Sequence, residues 1–305
     1  MINVELKGGA VKEFENGTTP AEIAKSIGAG LYKSVCCAKV DGDLCDLRTP
    51  LEKDCKVELL TFDNVDGQKT FWHTASHVLA QAVKRLYPNA KCAIGPAVDN
   101  GFYYDFDVEK PFSPEDLEKI KAEMKKIVKS GLELERVELS PEEAEKKLEE
   151  MNEPYKVELV KEHSDKGEHI TFYKQGEFID LCAGPHLMSV APIKAIELTA
   201  CTGAYWRGDA NNAQLCRVYG VAFPKASMLE EHLKKLEEAK LRDHNKLGRE
   251  LEYFTTVDYV GQGLPILLPK GARVVQLLQR WVEDVEQSKG CLLTKSSSSC
   301  KERSL

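Results

Sequence analysis

This sequence of 305 residues has no long apolar run. A membrane-spanning helix needs about 18 consecutive apolar residues, so none is predicted. Residues 1–6 lack the basic start and apolar core of a secretion signal. The ten cysteines are scattered along the chain, a distribution that favours reduced thiols over a disulfide framework. These absences predict a cytoplasmic protein with no membrane partner. The net charge of -7 argues against indiscriminate binding to polyanions, although it permits a local basic patch.

The chain is longer than one ordinary domain, and its length predicts two or three domains. Residues 1–62 predict a small α+β domain of the ubiquitin-like β-grasp type. Its helix should begin after Thr19, with Pro20 in the first helical position and Glu22 closing a capping box. Its strands are expected at residues 2–6, 11–14, 35–40 and 56–62.

Residues 63–225 predict a larger α+β domain. Helices are expected at residues 72–86 and after the proline-containing starts at Ser113 and Ser140. Strands are expected at residues 170–173, 195–199 and 217–223. Because the helices are segregated from the runs of strands, the pattern favours an α+β domain over a parallel α/β domain.

The remaining sequence predicts a charged linker helix at residues 226–248 and a third unit at residues 249–305. That unit contains a helical pattern at residues 272–285, and beyond Gly290 it becomes a serine-rich stretch with no periodicity. About 55 residues cannot bury a core of ordinary size, so this unit is predicted to be incomplete.

Two pairs of side chains with chemical potential share the same spacing. His73 and His77 are four residues apart in a helical stretch and therefore share one helix face. Cys182 and His186 have the same separation on a loop that contains Gly-Pro. If the pairs meet in space, their nitrogen and thiolate donors suit a tetrahedral zinc ion. The same groups also suit metal-free chemistry, in which a neutral histidine takes a proton from water and Asp180 orients it.

Lys156 and Tyr104 are candidate donors to an oxyanion that develops in such a pocket. Each feature also has a plain structural interpretation. Either pair alone is common by chance, Cys182 could be a small buried hydrophobic residue, Tyr104 could belong to the core, and Lys156 could be a solvated strand lysine. The lysine-rich run at residues 119–129 is interpreted as a solvated helix face, with RNA contact as the alternative. No role is assigned to the other histidines, which are His163, His169, His232 and His244.

The order of five motifs adds a resemblance to a known family. The motifs occupy residues 73–77, 94–96, 100–105, 182–186 and 202–209. In this order they closely resemble the N-terminal half of bacterial-type threonyl-tRNA synthetase. The resemblance implies a TGS domain of β-grasp fold, then the editing domain shared with alanyl-tRNA editing proteins, then a linker helix and the start of a class II catalytic domain.

The resemblance also implies a reaction, the hydrolysis of serine wrongly attached to threonine tRNA. Serine lacks only one methyl group of threonine, and one missing methyl supports only about 10- to 200-fold rejection in a binding pocket. The partner implied is the acceptor end of tRNA(Thr). The editing residues carried over from the family are His73, His77, Tyr104, Lys156, Asp180, Cys182 and His186.

Their implied roles are distinct. His73 activates or positions the water, Lys156 polarises the substrate, and Asp180 orients substrate or water. Editing in this branch is expected to use no metal. Related alanyl-tRNA editors hold zinc at the corresponding groups, so the alternative remains that His73, His77, Cys182 and His186 are zinc ligands.

The sequence departs from the family after Gly290. The family's catalytic core uses zinc and Mg-ATP, and none of its sites can be placed in residues 249–305. The helical pattern at residues 272–285 resembles only the beginning of the motif that builds the family's homodimer interface. We therefore expect a truncated or frame-shifted chain without aminoacylation activity. The competing functions are a non-enzymatic tRNA- or RNA-binding module and a zinc-dependent aminoacyl-tRNA deacylase.

Overall fold

The computed structural model describes residues 1–261 and 263–294. The chain divides into two units, residues 1–231 and residues 232–305. The serine-rich stretch predicted beyond Gly290 lies, from residue 295 onward, outside the described residues. The division into four segments at residues 62, 225 and 248 stays a prediction.

A mixed sheet and two helices form the N-terminal part of the first unit. Its elements are β1 (Ile2–Leu6), β2 (Val11–Phe14), α1 (Pro20–Ile27), α2 (Ala29–Ser34), β3 (Val35–Val40), β4 (Asp43–Cys45) and β5 (Cys55–Thr61). The strand order is β2-β1-β5-β3-β4, and β1 runs parallel to β5 while the other pairs are antiparallel. Helix α1 begins with the predicted capping box of Thr19 and Glu22. The predicted β-grasp fold is confirmed.

The rest of the first unit is a second α+β arrangement, as predicted. Its elements are α3 (Val65–Leu86), β6 (Lys91–Cys92), β7 (Ala97–Val98), β8 (Gly101–Asp107), α4 (Pro114–Ser130), β9 (Leu134–Glu138), α5 (Pro141–Glu150), α6 (Pro154–Asp165), β10 (Thr171–Gln175), β11 (Phe178–Leu181), β12 (Ala195–Tyr205), a 3-10 turn (Trp206–Gly208) and β13 (Gln214–Phe223). One sheet has the order β12-β13-β8-β6, with β7 paired to β8, and a smaller sheet has the order β11-β10-β9.

The long helix α3 is the centre of this arrangement. It contacts β8 and β13 of the larger sheet, helix α4, and also β3 of the N-terminal sheet. Its apolar residues join the main core, and the Trp72 indole donates a hydrogen bond to the Ala222 carbonyl at 2.9 Å. Because α3 contacts both sheets, side chains on α3 have a fixed position relative to the N-terminal domain as well.

Helix α3 starts at Val65, seven residues before the predicted start at residue 72. The early turns contain Gly67, a residue that weakens a helix in isolation. A Cβ at Gly67 would lie 2.0 Å from the Thr61 carbonyl oxygen. This glycine therefore permits a close approach to the preceding strand and does not end the helix. His73 consequently lies within the helix and not at its beginning.

Helix α6 corrects a second expectation. The structural alternative for Lys156 placed it on a solvated strand, yet residues Pro154–Asp165 are helical, with the proline in the first turn. The lysine is also buried rather than solvated. Strands β9 and β11 had no prediction, and β12 and β13 extend beyond their predicted ranges.

The C-terminal residues form α7 (Ala226–Leu241), α8 (His244–Glu250), β14 (Phe254–Thr255), β15 (Ile266–Leu267) and α9 (Pro269–Ser288). The predicted single linker helix at residues 226–248 is two helices. The Asp243 carboxylate accepts a hydrogen bond from the Lys246 backbone N–H at 2.9 Å and caps the second of them. Within residues 1–261 and 263–294, no helix is long and apolar enough to cross a membrane.

Candidate active site

A cavity of about 360 Å³ opens between helices α3 and α6 and the chain that follows β11. Helix α3 contributes the predicted His73 and His77, and α6 contributes Lys156. The end of β11 and the loop after it contribute Asp180 and Cys182. The cavity is further lined by Ile94, Gly95, Pro96, Leu159, His163, Glu168, His169, Ile170, Thr171, Leu181, Ala183 and Gly184.

The two predicted pairs meet in space. The Cys182 Sγ atom lies 3.3 Å from His73 Nε2 and 3.2 Å from His186 Nε2. The ring of His186 is centred 4.2 Å from the ring of His73 and 4.2 Å from that of His77. The thiol also accepts a hydrogen bond from the Gly184 backbone N–H at 3.2 Å. Residues separated by more than 100 positions in the sequence thus form one cluster of imidazole and thiol groups.

Two imidazoles of this cluster, those of His73 and His186, have lowered pKa values that favour their neutral forms. Burial lowers the pKa of His73 to about 4, and the nearby Lys156 ammonium acts in the same direction, against the opposing effect of Asp180. Burial also lowers the pKa of His186 far below its ordinary value. The positive charge of Arg48, and the charges that His73 and His77 would carry when protonated, lower it further. A neutral imidazole can take a proton from water or donate a lone pair to a metal, so the cluster is prepared for either chemistry.

An ion pair lies next to the cluster. The Lys156 Nζ atom is 2.8 Å from Asp180 Oδ1, and both side chains are only 5% exposed. The Tyr104 hydroxyl donates to Asp180 Oδ2 at 2.5 Å, and His77 Nε2 lies 3.7 Å from the same oxygen. Burial opposes the charge on Lys156, but the Asp180 carboxylate outweighs it and raises the lysine's pKa. Burial likewise opposes the charge on Asp180, but Lys156 and His77 outweigh it and lower the carboxyl's pKa.

Two of the predicted residues lie behind the cavity wall. Tyr104 and His186 are fully buried and do not line the cavity. The Tyr104 hydroxyl points to Asp180, so the geometry gives it the task of holding that carboxylate and does not aim it at an oxyanion. His186 contacts the residues that line the cavity through the Cys182 thiol and through the rings of His73 and His77.

Several residues of the site had no role in the sequence analysis. The Thr74 hydroxyl lies 3.1 Å from His186 Nδ1 and accepts a hydrogen bond from the Leu187 backbone N–H at 3.0 Å. The Asp46 carboxylate, from the N-terminal domain, accepts a hydrogen bond from the His186 backbone N–H at 3.2 Å. His163 pairs with Glu168 at the cavity lining. Thr74 belongs to the motif at residues 73–77, whereas no pattern in the neighbouring sequence marks Asp46, His163 or Glu168 as residues of the site.

The donor set fits a zinc ion. The ligand atoms of His73, His77, Cys182 and His186 all lie within 4.8 Å of one another. Three imidazole nitrogens and a thiolate are donors that zinc accepts in a tetrahedron. The Thr74 hydroxyl at His186 Nδ1 is the kind of outer hydrogen bond that orients a ligating histidine. The arrangement therefore accommodates metal-dependent as well as metal-free chemistry.

Comparisons with known proteins agree with the domains described above. Residues 2–61 match the TGS domain, and residues 170–219 match the threonyl and alanyl tRNA synthetase second additional domain. A threonine–tRNA ligase from Clostridium perfringens is 57% identical over 296 residues, which are 97% of this chain and 46% of the relative. The ligase from Acetivibrio thermocellus is 53% identical over 290 residues, or 95% of this chain and 45% of the relative.

A third relative, the threonine–tRNA ligase from Clostridium tetani, is 56% identical over 281 residues, which are 92% of this chain and 44% of the relative. The chain therefore spans somewhat less than half the length of the curated relatives it matches. Both domain matches agree with the resemblance predicted from the sequence motifs. Over 97% of its length the chain is similar to the N-terminal region of threonine–tRNA ligases, with a TGS domain followed by the second additional domain of threonyl and alanyl tRNA synthetases, the editing domain.

Proposed function

We propose that this chain hydrolyses the ester bond of seryl-tRNA(Thr), with the acceptor end of that tRNA as its partner. The observation that carries the proposal is the convergence of a neutral His73, the Cys182 thiol and the Lys156–Asp180 ion pair on one cavity. A proton acceptor, a positive charge and a carboxylate within one small cavity are what hydrolysis of an aminoacyl ester requires.

In the proposed reaction His73 removes a proton from water while the water oxygen bonds to the ester carbonyl carbon. The bond between that carbon and the ribose oxygen then breaks, and the histidine returns its proton to the ribose oxygen. The products are free serine and tRNA. Lys156 Nζ contacts Asp180 at 2.8 Å and the Leu181 carbonyl at 3.4 Å, and an ammonium has three donors. Within the described residues, this leaves one donor for the developing oxyanion.

The preference for serine follows from size. We infer that the cavity of about 360 Å³ would receive part of the terminal nucleotide together with the aminoacyl group, which would leave less room for the side chain of threonine than for that of serine. A pocket that excludes the additional methyl group of threonine complements a synthetic site that cannot reject serine strongly. The site would then discard the smaller product and leave the correct product intact.

The direct test is release of labelled serine from seryl-tRNA(Thr), compared with release of threonine from threonyl-tRNA(Thr). We expect serine release to be faster by at least about tenfold. His73→Ala should lower it by about 10²- to 10⁴-fold. The exposed His244, in the C-terminal unit, provides the matched control, because His244→Ala removes the same side chain outside the site. Binding of tRNA without serine release would contradict the proposal and favour a non-enzymatic RNA-binding module.

Zinc-dependent deacylation is the second candidate, and the mutual proximity of the four donor atoms favours it. A zinc ion held by His73, His77, Cys182 and His186 would supply a Lewis acid and an activated water. We propose the metal-free reaction as the first candidate, so serine release should persist after dialysis against a chelator. Loss of activity on chelation, with recovery on zinc addition and zinc bound in equal amount to protein, would establish the second candidate.

Ligation of threonine to tRNA is the activity in the name of the relatives, and they are more than twice as long as the matched region. We propose that the chain as given does not charge tRNA, because the sequence of residues 249–305 predicts no site for ATP or threonine of the class II type. Purified chain incubated with tRNA, threonine and Mg-ATP should form no threonyl-tRNA. Charging under these conditions would refute this part of the proposal.

A further inference from the structure

A loop of the N-terminal domain reaches the core of the second domain. Asp46 lies just after β4 and is only 7% exposed. Its Oδ2 atom accepts hydrogen bonds from the Tyr173 hydroxyl at 2.8 Å and from the backbone N–H of His186 at 3.2 Å. A buried carboxylate of the first domain therefore holds the backbone of a residue in the candidate active site.

Arg48, in the same loop, holds the other side of that segment. Its guanidinium donates to the Leu187 carbonyl at 2.7 Å, to the His186 carbonyl at 3.4 Å and to the Leu134 carbonyl at 2.9 Å. It also pairs with Asp46 at 2.9 Å, which balances the buried negative charge. The planar guanidinium can satisfy three carbonyl groups and a carboxylate at once because it has five donors in a fixed fork.

The two residues thus fix His186 from both sides of its peptide backbone. The Thr74 hydroxyl at Nδ1 fixes the imidazole ring. The ring then presents Nε2 to the Cys182 thiol at 3.2 Å. Hydrogen bonds join Asp46 to the backbone of His186 and the ring of His186 to the Cys182 thiol, so we expect a displacement of Asp46 to shift the thiol.

Tyr173 ties the same carboxylate to the turn that carries the thiol. Its ring is centred 4.4 Å from the ring of His186, and its hydroxyl donates to Asp46. A Cβ at Gly184 would lie 2.2 Å from that hydroxyl oxygen, which shows how closely the Gly184 backbone follows the tyrosine. The carboxylate therefore holds the turn at His186 directly and contacts its middle, at Gly184, through Tyr173.

We propose that Asp46 and Arg48 are positioning residues for the candidate active site, so that the N-terminal domain supplies part of the scaffold of the hydrolytic site. This inference rests on the proposed function for its effect on rate, but its structural part does not. Neither residue lines the cavity, and both act through the backbone of residues 186–187.

The rate test compares Asp46→Ala with Asp54→Ala in the full chain. Asp54 is the matched control, because it also accepts a backbone hydrogen bond, from Asn3 at 2.7 Å, but stays within the N-terminal sheet. Asp46→Ala should lower kcat for serine release by roughly 10- to 100-fold, as expected when reacting groups shift by about 1 Å, with little change in KM. Asp54→Ala should leave kcat unchanged.

A double variant separates positioning from general loss of stability. If Asp46 acts through His186, adding Asp46→Ala to His186→Ala should slow the reaction by no more than about twofold further. Independent multiplication of the two effects would overturn the inference. Tyr173→Phe is the milder variant if Asp46→Ala does not fold, since it removes one hydrogen bond to the carboxylate and should cost about three- to tenfold in kcat.

Amide hydrogen exchange gives a readout that does not require activity. In Asp46→Ala or Tyr173→Phe, peptides covering residues 182–188 should exchange at least about tenfold faster, while peptides of α4 remain unchanged. Faster exchange with no serine release by the unaltered chain would refute the proposed function and keep the positioning role. Unchanged exchange at residues 182–188 would overturn the positioning role, whatever the rates are.

Discussion

The low pKa of His73 predicts an unusual pH dependence for serine release. A general base acts in its neutral form, so its contribution is complete above its pKa and is lost as pH falls through that value. Burial lowers the pKa of His73 to about 4. We therefore expect the hydrolysis rate to stay nearly constant when the pH falls from about 7.5 to about 5.5.

The magnitude follows from the fraction of neutral imidazole. With an ordinary pKa of about 6.5, that fraction would fall from about 0.9 to about 0.1 over this range, a tenfold loss of rate. With a pKa of about 4 the neutral fraction at the lower pH is still about 0.97. Lys156 keeps its charge throughout because Asp180 raises its pKa, so the partner of the ester carbonyl does not change either.

The assay is single-turnover release of labelled serine at constant ionic strength, with the uncatalysed rate subtracted at each pH. His73→Ala supplies the rate that remains without the base. A tenfold decline with a midpoint near the ordinary histidine pKa of about 6.5 would refute the assignment of a half-buried, neutral His73 as the base.

Three further substitutions test interactions at the site and, for comparison, the cap of helix α4. Lys156→Met leaves the Asp180 carboxylate buried without its cation. It should lower the free energy of unfolding, measured by urea titration, by about 3–5 kcal/mol, and adding Asp180→Asn should restore part of this loss. Gly95→Ala places a Cβ 2.1 Å from the Tyr104 ring, so it should cost about 1–3 kcal/mol of stability and slow serine release; an unaltered rate would show that the ring does not matter to the site. Ser113→Ala removes a capping box on α4 and should cost about 1 kcal/mol by thermal melting without changing the rate.

Local signals account for the parts of the fold that were predicted well. Ser113 and Ser140 were expected to begin helices because serine, proline and an acidic residue follow one another in capping order, and both capping boxes are present. The strand at residues 35–40 was predicted with its observed limits. These signals depend on residues that are close together in the sequence, so no tertiary information was needed to predict these elements.

Tertiary contacts explain the errors. Gly67 lowers the local helix propensity at the start of α3. The structure shows that it is needed for the close approach of α3 to Thr61, which the sequence pattern does not reveal. The structural alternative for Lys156, a solvated strand lysine, was wrong because its partner, Asp180, is 24 positions away in the sequence and on a different element. The sequence around a charged residue does not show whether that residue pairs with a distant partner or is exposed to water.

The candidate site shows the same division. The spacing of His73 and His77 and of Cys182 and His186 was visible, and the order of motifs in the family resemblance suggested that the pairs meet. Asp46, by contrast, is 140 residues from His186. An aspartate between a short strand and a turn is an ordinary surface residue by its local pattern. Only the docking of the two domains makes it part of the site.

The charges around the cavity explain how one histidine can be neutral at rest and still accept a proton. Burial and the Lys156 ammonium favour the neutral ring, while Asp180 favours the imidazolium. The lysine is itself held by Asp180, so its charge is partly balanced before any substrate arrives. In the proposed reaction the third donor of the ammonium binds the developing oxyanion, whose negative charge offsets part of the lysine's charge, so more of the negative charge of Asp180 acts on His73. We therefore expect proton transfer to the histidine to be assisted when the ester carbon is attacked, with the ion pair linking the two events.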